Sequence, residues 1–326
     1  MKKSIWFIVL ACFMMFLAAC GNNSEDASAS DNSNESSEQE SEASDESSQT
    51  VSVEHELGTT EVPKNPEKVA VFNYGTLSHL DDLGISVEGV AKGTLPSYLS
   101  QYDSEEYTNI GSLKEPDFEA IHEMDPDVII MAGRQGEAYE DLSDIAPTVY
   151  ISTDTEKLEE SYKNGLQTIG EIFGKETEVE EKINQFEETA TSVQDIAQNS
   201  DKKGLVVLSS GGKLSAYGKG SRFGIIHDVF GVIPVTEEIE ASTHGMEISF
   251  EYISKQNPDY LFVIDRDQVV GGESAASEVL DNELVNGTNA AQDENIFYLD
   301  PEIWYLSSGL PPVGKMAEEI KTAIQE

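Results

Sequence analysis

Cysteine is nearly absent from this chain of 326 residues, which contains only Cys12 and Cys20. Both lie in an N-terminal stretch that has the composition of an export signal. No cysteine follows Cys20, so the folded part of the protein has no thiol of its own. A disulfide, a thiolate metal site and cysteine catalysis are therefore excluded there.

Positive charge is also scarce, because Lys and Arg together number 20 against 62 Asp and Glu, which gives a formal net charge of −42. No cluster of basic residues is available to contact phosphates, which argues against a nucleic-acid partner. Arginine occurs only three times, as Arg134, Arg222 and Arg266. A function that needs a fixed, planar positive group must therefore use one of these three positions.

Hydrolase motifs are missing as well. The stretches LSSGG and YLSSG, which include Ser209 and Ser307, do not match G-x-S-x-G, and no H-E-x-x-H occurs. An extracellular hydrolase would be supported only if turnover of esters or peptides depended on one of these serines. The histidines are scattered along the chain, as His55, His79, His122, His227 and His244. Their spacing contains no metal-ligand motif, which argues against a receptor for free zinc or manganese.

The N-terminal fifty residues predict export and anchoring rather than a fold. A basic head at Lys2 and Lys3 precedes the apolar run IWFIVLACFMMF, which is too short to span a bilayer. We predict a signal peptide over residues 1–19. The sequence LAAC that ends at Cys20 resembles a bacterial lipobox, so Cys20 is expected to carry lipid, the alternative being an ordinary secretory signal. Residues 20–50 are rich in Ser, Glu, Asp and Asn, which predicts a disordered tether.

The remaining chain alternates predicted strands and helices, which indicates an α/β fold with mostly parallel sheets. We predict an N-terminal α/β lobe at 51–174, a long helix at 175–199 and a C-terminal α/β lobe at 200–326. The apolar positions of the helix recur at steps of four and three: Val179, Ile183, Phe186, Ala190, Val193 and Ile196. One such stripe is typical of a single rigid helix between two lobes. A surface helix of the N-terminal lobe would show the same pattern.

One local sequence pattern occurs twice, as FEAIHEMDPDVIIMAGR from Phe118 and as FEYISKQNPDYLFVIDR from Phe250. Each copy predicts a helix, a turn and a strand, and each ends in an arginine. The carboxyl ends of parallel strands line the ligand crevice, so Arg134 and Arg266 are expected to face each other across it. Arg222 ends the stretch LSAYGKGSR and lies at the start of a predicted helix.

A guanidinium group suits oxyanions, so three arginines at such places predict an anion site. A surface ion pair would explain any one of them, and a purely structural role would not explain their placement. His244 in ASTHG and Tyr305 in EIWYLSSG could both coordinate ferric iron. Taken alone, they are equally consistent with a solvated histidine and a packed aromatic ring.

These features resemble the iron-siderophore substrate-binding lipoproteins of ABC importers, from about Val51 to the C-terminus. The match is greatest to ferric-catecholate and petrobactin-binding members, whose fold is the helical-backbone class III. The resemblance implies a ferric siderophore as ligand, with no intrinsic cofactor. It assigns the pocket residues Arg134, Arg222, Arg266, Lys92 and Tyr74, and places His244 and Tyr305 on the iron. Carriers of haem, cobalamin or ferric hydroxamate are the alternative, although their ligands carry less negative charge.

The same resemblance implies a delivery partner. Glu119 and Glu251 are expected to dock on an ABC permease dimer that works with an ATPase, although each also lies in the first turn of a helix, where a carboxylate favours the helix dipole. The protein is expected to be a non-catalytic monomer. Its lipid anchor at Cys20 would hold it on the outer face of a Gram-positive membrane.

Overall fold

Parallel sheets organise the chain that the computed structural model describes, which is residues 50–272 and 274–325. The predicted signal peptide, Cys20 and the tether before Thr50 lie outside these residues. The two large sheets are separate, each is covered by helices, and a long helix lies between their sequences. The predicted fold class is therefore confirmed.

The N-terminal lobe contains a small antiparallel hairpin and a five-stranded parallel sheet. The hairpin consists of β1 (Thr50–His55) and β2 (Gly58–Pro63). The sheet consists of β3 (Val69–Val71), β4 (Gly89–Val90), β5 (Thr108–Asn109), β6 (Val128–Met131) and β7 (Thr148–Tyr150), in the order β5-β4-β3-β6-β7. Its helices are α1 (Tyr74–Asp82), α2 (Phe118–Met124), α3 (Tyr139–Ser143) and α4 (Leu158–Phe173). The three central strands are fully buried, as expected for a parallel sheet with helices on its faces.

The next helix, α5 (Glu176–Gln198), is 23 residues long. Its buried side chains include Val179, Phe186, Ala190 and Val193, which lie on one stripe. No glycine or proline interrupts it, so the helix is continuous.

The C-terminal lobe has a mixed six-stranded sheet. Its strands are β8 (Lys203–Ser210), β9 (Lys213–Tyr217), β10 (Ile233–Pro234), β11 (Met246–Ile248), β12 (Tyr260–Asp265) and β13 (Ile296–Leu299). The order is β11-β9-β8-β12-β13, with β10 beside β8; β9 and β11 run antiparallel to their neighbours. Its helices are α6 (Ile225–Asp228), α7 (Phe250–Gln256), α8 (Asp267–Val270), α9 (Ala276–Leu280), α10 (Glu283–Asn286), α11 (Asn289–Gln292) and α12 (Val313–Gln325).

Helix α5 is not the only link between the lobes, because the chain returns to the N-terminal lobe after β13. A π-helical turn, Glu302–Leu306, leads into a segment that packs on α1. Thr153 Oγ1 donates to the Gly309 carbonyl at 2.5 Å, and His79 Nε2 lies 3.1 Å from the Pro311 carbonyl. Helix α5 packs on α4 of the N-terminal lobe and on α12, which follows this return of the chain.

The sequence repeat corresponds to a repeated structure. Helices α2 and α7 are both seven residues long and are capped by Asp117 and Ser249, whose side chains accept from backbone amides of the first turn. Both helices end at a left-handed residue, Asp125 with φ 52° and Asn257 with φ 45°. The aspartate of each Pro-Asp pair then fixes the neighbouring central strand, because Asp127 accepts from the Lys68 amide at 2.8 Å and Asp259 from the Lys203 amide at 2.9 Å.

Candidate functional site

The fold places the three arginines just beyond strand ends, where the two lobes meet. Arg134 lies in the 3₁₀ turn Gly133–Ala138 that follows β6, and Arg266 directly follows β12. Arg222 lies between β9 and α6. All three side chains belong to residues of intermediate exposure.

These arginines converge on one residue, Tyr305, in the π-helical turn. Arg266 Nε donates to the phenol oxygen at 2.8 Å. Arg134 Nη2 and Arg222 Nη2 each donate to the Tyr305 carbonyl at 2.7 Å. Arg134 Nη1 also donates to the Leu306 carbonyl at 3.1 Å. The guanidinium carbons of Arg134, Arg222 and Arg266 lie 5.7, 4.4 and 5.5 Å from the centroid of the Tyr305 ring. The structure thus brings together four of the predicted residues, from both lobes.

The clustered positive charge changes the acidity of the site. Burial alone would raise the pKa of Tyr305, but the hydrogen bond from Arg266 and the charges of Arg222, Arg266 and Arg134 outweigh it and lower that pKa. Burial, together with the nearby Arg222 charge, lowers the pKa of Arg134 to about 10. Arg134 therefore remains charged at neutral pH, while the phenol of Tyr305 loses its proton more easily than an ordinary tyrosine.

Most N–H donors of the three arginines make no hydrogen bond to another described residue and can bind an anion. Each guanidinium carries about five N–H donors, and at most two nitrogens of each group donate hydrogen bonds within the described residues. Within those residues the one acidic partner of an arginine is Asp267, which lies 3.7 Å from Arg266 Nη1. The remaining acceptors are neutral carbonyl and hydroxyl oxygens, so the positive charge is largely uncompensated. An oxygen-rich anion is the ligand that this arrangement suits.

Tyr74 and Lys92 lie on the N-terminal side of the cluster. Tyr74 is 1% exposed, and its hydroxyl donates to the Ala91 carbonyl at 2.9 Å. Burial raises the pKa of Tyr74, and the charge of Arg134 acts in the opposite direction. The amine of Lys92 donates to the Ser104 carbonyl at 2.6 Å. Tyr74 is thus within electrostatic reach of the cluster, whereas the described contacts of Lys92 are local.

His244 lies on an adjacent loop and is exposed. Its carbonyl accepts from the Tyr217 hydroxyl at 3.0 Å, and the Arg222 amide donates to the Ser242 carbonyl at 3.3 Å. These bonds hold the loop backbone beside the cluster, but the imidazole makes no hydrogen bond to Tyr305 or the arginines. Across residues 50–272 and 274–325, no three His, Cys, Asp or Glu side chains form a group suited to a metal ion.

Glu119 and Glu251 occupy equivalent positions in the first turns of α2 and α7, and both are exposed. A hydrogen bond from the Ser249 side chain lowers the pKa of Glu251. The two carboxylates are therefore available to a partner that contacts both lobes.

Sequence reasoning missed the N-terminal partners of the Tyr305 turn. Glu302 accepts hydrogen bonds from the Ser97 amide at 2.8 Å and from the Ser97 hydroxyl at 2.5 Å. The hydroxyls of Tyr98 and Ser307 lie 3.1 Å apart. More than 200 residues separate the members of each pair, so no local motif could have revealed them.

A cavity of about 840 Å³ is lined by Asp265 and Asp267, the two neighbours of Arg266 in the chain. Its lining carries five carboxylates and no basic side chain, and these are Asp265, Asp267, Asp300, Glu302 and Glu319. An anion would be repelled there, so we place the anion site at the arginines and not in this cavity.

Two α/β lobes, a long helix between them and a cation cluster where they meet define a substrate-binding protein of the helical-backbone class. The chain belongs to the periplasmic binding protein family, whose model matches residues 69–303. This family consists of substrate-binding transport proteins.

Three relatives show what the chain resembles in detail. The petrobactin-binding protein YclQ of Bacillus subtilis is 42% identical over 331 residues, which covers 100% of both chains. Its crystal structure superposes with a TM-score of 0.84 at 46% identity, covering 85% of this chain and 99% of that one. The ferric-anguibactin-binding protein FatB of Vibrio anguillarum is 33% identical, covering 78% of this chain and 81% of its own. The catecholate-siderophore binding protein VctP of Vibrio cholerae superposes with a TM-score of 0.79 at 36% identity, covering 84% and 100%.

Proposed function

We propose that this protein is a lipid-anchored receptor that binds a ferric siderophore, of catecholate or petrobactin-like type, between its lobes and delivers it to an ABC importer. The observation that carries the proposal is the convergence of Arg134, Arg222 and Arg266 on one point, with a single acidic partner among residues 50–272 and 274–325. The names of YclQ, FatB and VctP support the same ligand class.

The electrostatics explain how such a ligand would be held. Catecholate oxygens bound to ferric iron carry several negative charges, and charge-assisted hydrogen bonds from guanidinium groups match them. Partial burial of the cluster strengthens these bonds relative to water. The lowered pKa of Tyr305 supports a role for its oxygen as an iron ligand when the siderophore leaves positions open, and His244 would supply the second. Tyr74 and Lys92 complete the proposed pocket.

The delivery step uses other parts of the chain. We propose that residues 1–19 are removed, that Cys20 carries lipid, and that the acidic segment up to residue 50 tethers the folded lobes at the outer face of a Gram-positive membrane. No helix within residues 50–272 or 274–325 is long and apolar enough to cross a bilayer. The protein catalyses no reaction in this scheme and acts as a monomer.

Ligand binding is tested by titrating the protein with a panel of ferric complexes while intrinsic fluorescence is followed. The panel contains catecholates, mixed chelators of the petrobactin type, hydroxamates, haem and cobalamin. We expect saturable quenching by the first two classes and its loss when all three arginines are replaced by alanine. Tight binding that survives the triple substitution, or a preference for hydroxamate, haem or cobalamin, would refute the assignment.

Docking is tested separately from binding. Glu119→Arg and Glu251→Arg, singly and together, should leave siderophore affinity unchanged because both side chains are exposed and lie on α2 and α7. Iron uptake by cells that depend on this receptor should fall, and fall furthest in the double variant. Glu123→Arg, on an exposed position of α2, makes the same charge change and serves as the control. Equal uptake by all four variants would refute a docking role.

A further inference from the structure

The π-helical turn Glu302–Leu306 is held by both lobes at once. Its Tyr305 carbonyl accepts from Arg134 of the N-terminal lobe and from Arg222 of the C-terminal lobe. Its first residue, Glu302, contacts a second part of the N-terminal lobe, the 3₁₀ segment Ser97–Asp103. The turn therefore bridges the two lobes at the place where the arginines converge.

The Ser97–Asp103 segment depends on Glu302 for its cap. Its own N-cap residue, Pro96, offers no side-chain hydrogen bond. The Glu302 carboxylate instead accepts from both the amide and the hydroxyl of Ser97, which satisfies the first backbone donor of the segment. A helical segment in one lobe is thus capped by a carboxylate from the return crossing of the other.

Two further contacts connect this cap to the pocket. The Tyr98 hydroxyl meets Ser307 at 3.1 Å, directly after the turn. The Thr94 amide, just before the segment, lies 3.4 Å from the Tyr74 hydroxyl. The segment is therefore tied to the turn whose Tyr305 carbonyl takes up N–H donors of Arg134 and Arg222, and the residues just before it are tied to Tyr74.

We propose that Ser97 and Glu302 form a latch between the lobes, and that this latch must open before a ligand reaches the arginine cluster. The inference rests on the proposed function for the identity of the ligand. The latch itself is a property of the protein without ligand. It consists of two hydrogen bonds to one carboxylate that is partly exposed to solvent, so it can break and re-form without unfolding either lobe.

The chain carries a natural reporter of this turn. Trp304 lies within it, is 2% exposed, and donates from Nε1 to Glu319 at 2.7 Å. The other tryptophan, Trp6, falls in the predicted signal peptide. In full-length protein carrying Trp6→Phe, tryptophan emission therefore reports on the Glu302–Leu306 turn.

The test measures two quantities for the Trp6→Phe protein and for variants made in it. One is quenching of Trp304 by acrylamide without ligand. The other is the association rate constant, by stopped flow, for the ferric complex of 2,3-dihydroxybenzoate. If only the unlatched form binds, the association rate is proportional to its population. We expect Glu302→Ala to associate about tenfold faster, which corresponds to about 1.4 kcal/mol of latch energy, and to expose Trp304.

Ser97→Ala and Glu123→Ala provide the controls. Ser97→Ala removes only the hydroxyl bond, so we expect about a threefold faster association, and it decides the question if Glu302→Ala fails to fold. Glu123→Ala removes an exposed carboxylate from α2 and should change neither quantity. Unchanged rates and unchanged Trp304 quenching in both latch variants would overturn the latch. If the parent protein does not bind the ferric complex, the proposed ligand is wrong, and acrylamide quenching alone still decides whether the latch exists.

Discussion

Replacement of Arg222 by glutamine tests whether the ligand contacts the arginine cluster or responds only to the net charge of the protein. Arg222 forms no salt bridge within the described residues and donates one side-chain hydrogen bond, to the Tyr305 carbonyl. Its removal therefore leaves no buried carboxylate without a partner, unlike removal of Arg266, which pairs with the 7% exposed Asp267. We expect the free energy of unfolding to change by less than about 1 kcal/mol.

The effect on binding should be much larger. A hydrogen bond to a charged group contributes about 1.5–3 kcal/mol, and partial exposure of Arg222 favours the lower end. We expect Arg222→Gln to weaken binding of a ferric catecholate by about 10- to 30-fold in a fluorescence titration. Arg222→Lys keeps the charge but loses the planar fork, so its affinity should be intermediate.

Lys213→Gln is the matched control, because it changes the net charge by the same amount at a side chain that is 74% exposed. Its affinity should stay within about twofold of the unsubstituted protein, since charges at the surface are screened by salt. If Arg222→Gln and Lys213→Gln bind equally well, the ligand does not contact the cluster, and the reasoning from its geometry is refuted.

Three further predictions concern pH, packing and salt. Burial lowers the pKa of His79 to about 4, so the stability that its neutral form contributes is complete above about pH 6.5 and falls by about 2 kcal/mol at pH 5. The melting temperature of the unsubstituted protein should therefore drop more on acidification than that of His79→Gln, and parallel pH profiles would contradict this. Gly75→Ala places a Cβ 2.2 Å from the Leu310 carbonyl oxygen, so chemical denaturation should show a loss of about 1–3 kcal/mol, and a loss below about 0.5 kcal/mol would show that the packing is looser. Raising NaCl from about 0.05 to 0.5 M should weaken ferric-catecholate binding about three- to tenfold in a titration, whereas a salt-independent affinity would argue against an ionic site.

Local sequence patterns predicted the parts of the fold that depend on neighbouring residues. The caps at Asp117 and Ser249 and the Pro-Asp turns lie within the elements they organise, so the repeated pattern was sufficient. The same repeat placed Arg134 and Arg266 at the ends of equivalent strands. The sequence therefore predicts the position of a residue where local backbone geometry alone determines it.

The remaining features depend on contacts between distant parts of the chain. Helix α6 covers only Ile225–Asp228 and begins after its N-cap residue Gly224, so Arg222 precedes the helix instead of beginning it. The return of residues after Leu306 to the N-terminal lobe left no periodic signal. The direction of a side chain could not be predicted from the sequence either. The Lys92 amine, for example, donates to the Ser104 carbonyl, a contact that no local pattern indicates. Such placements follow from tertiary packing and have no counterpart in local propensity.

The chemistry of Tyr305 explains how so acidic a chain can keep three guanidinium groups active. Half-buried arginines need acceptors, and carboxylates are abundant, but a carboxylate on each arginine would cancel the charge that an anion requires. The Tyr305 carbonyl and the Leu306 carbonyl are neutral oxygens that satisfy N–H donors without removing positive charge. The phenol accepts from Arg266 and is itself made more acidic by the cluster. One turn therefore orients the arginines of both lobes toward a common point while most of their charge remains available to a ligand.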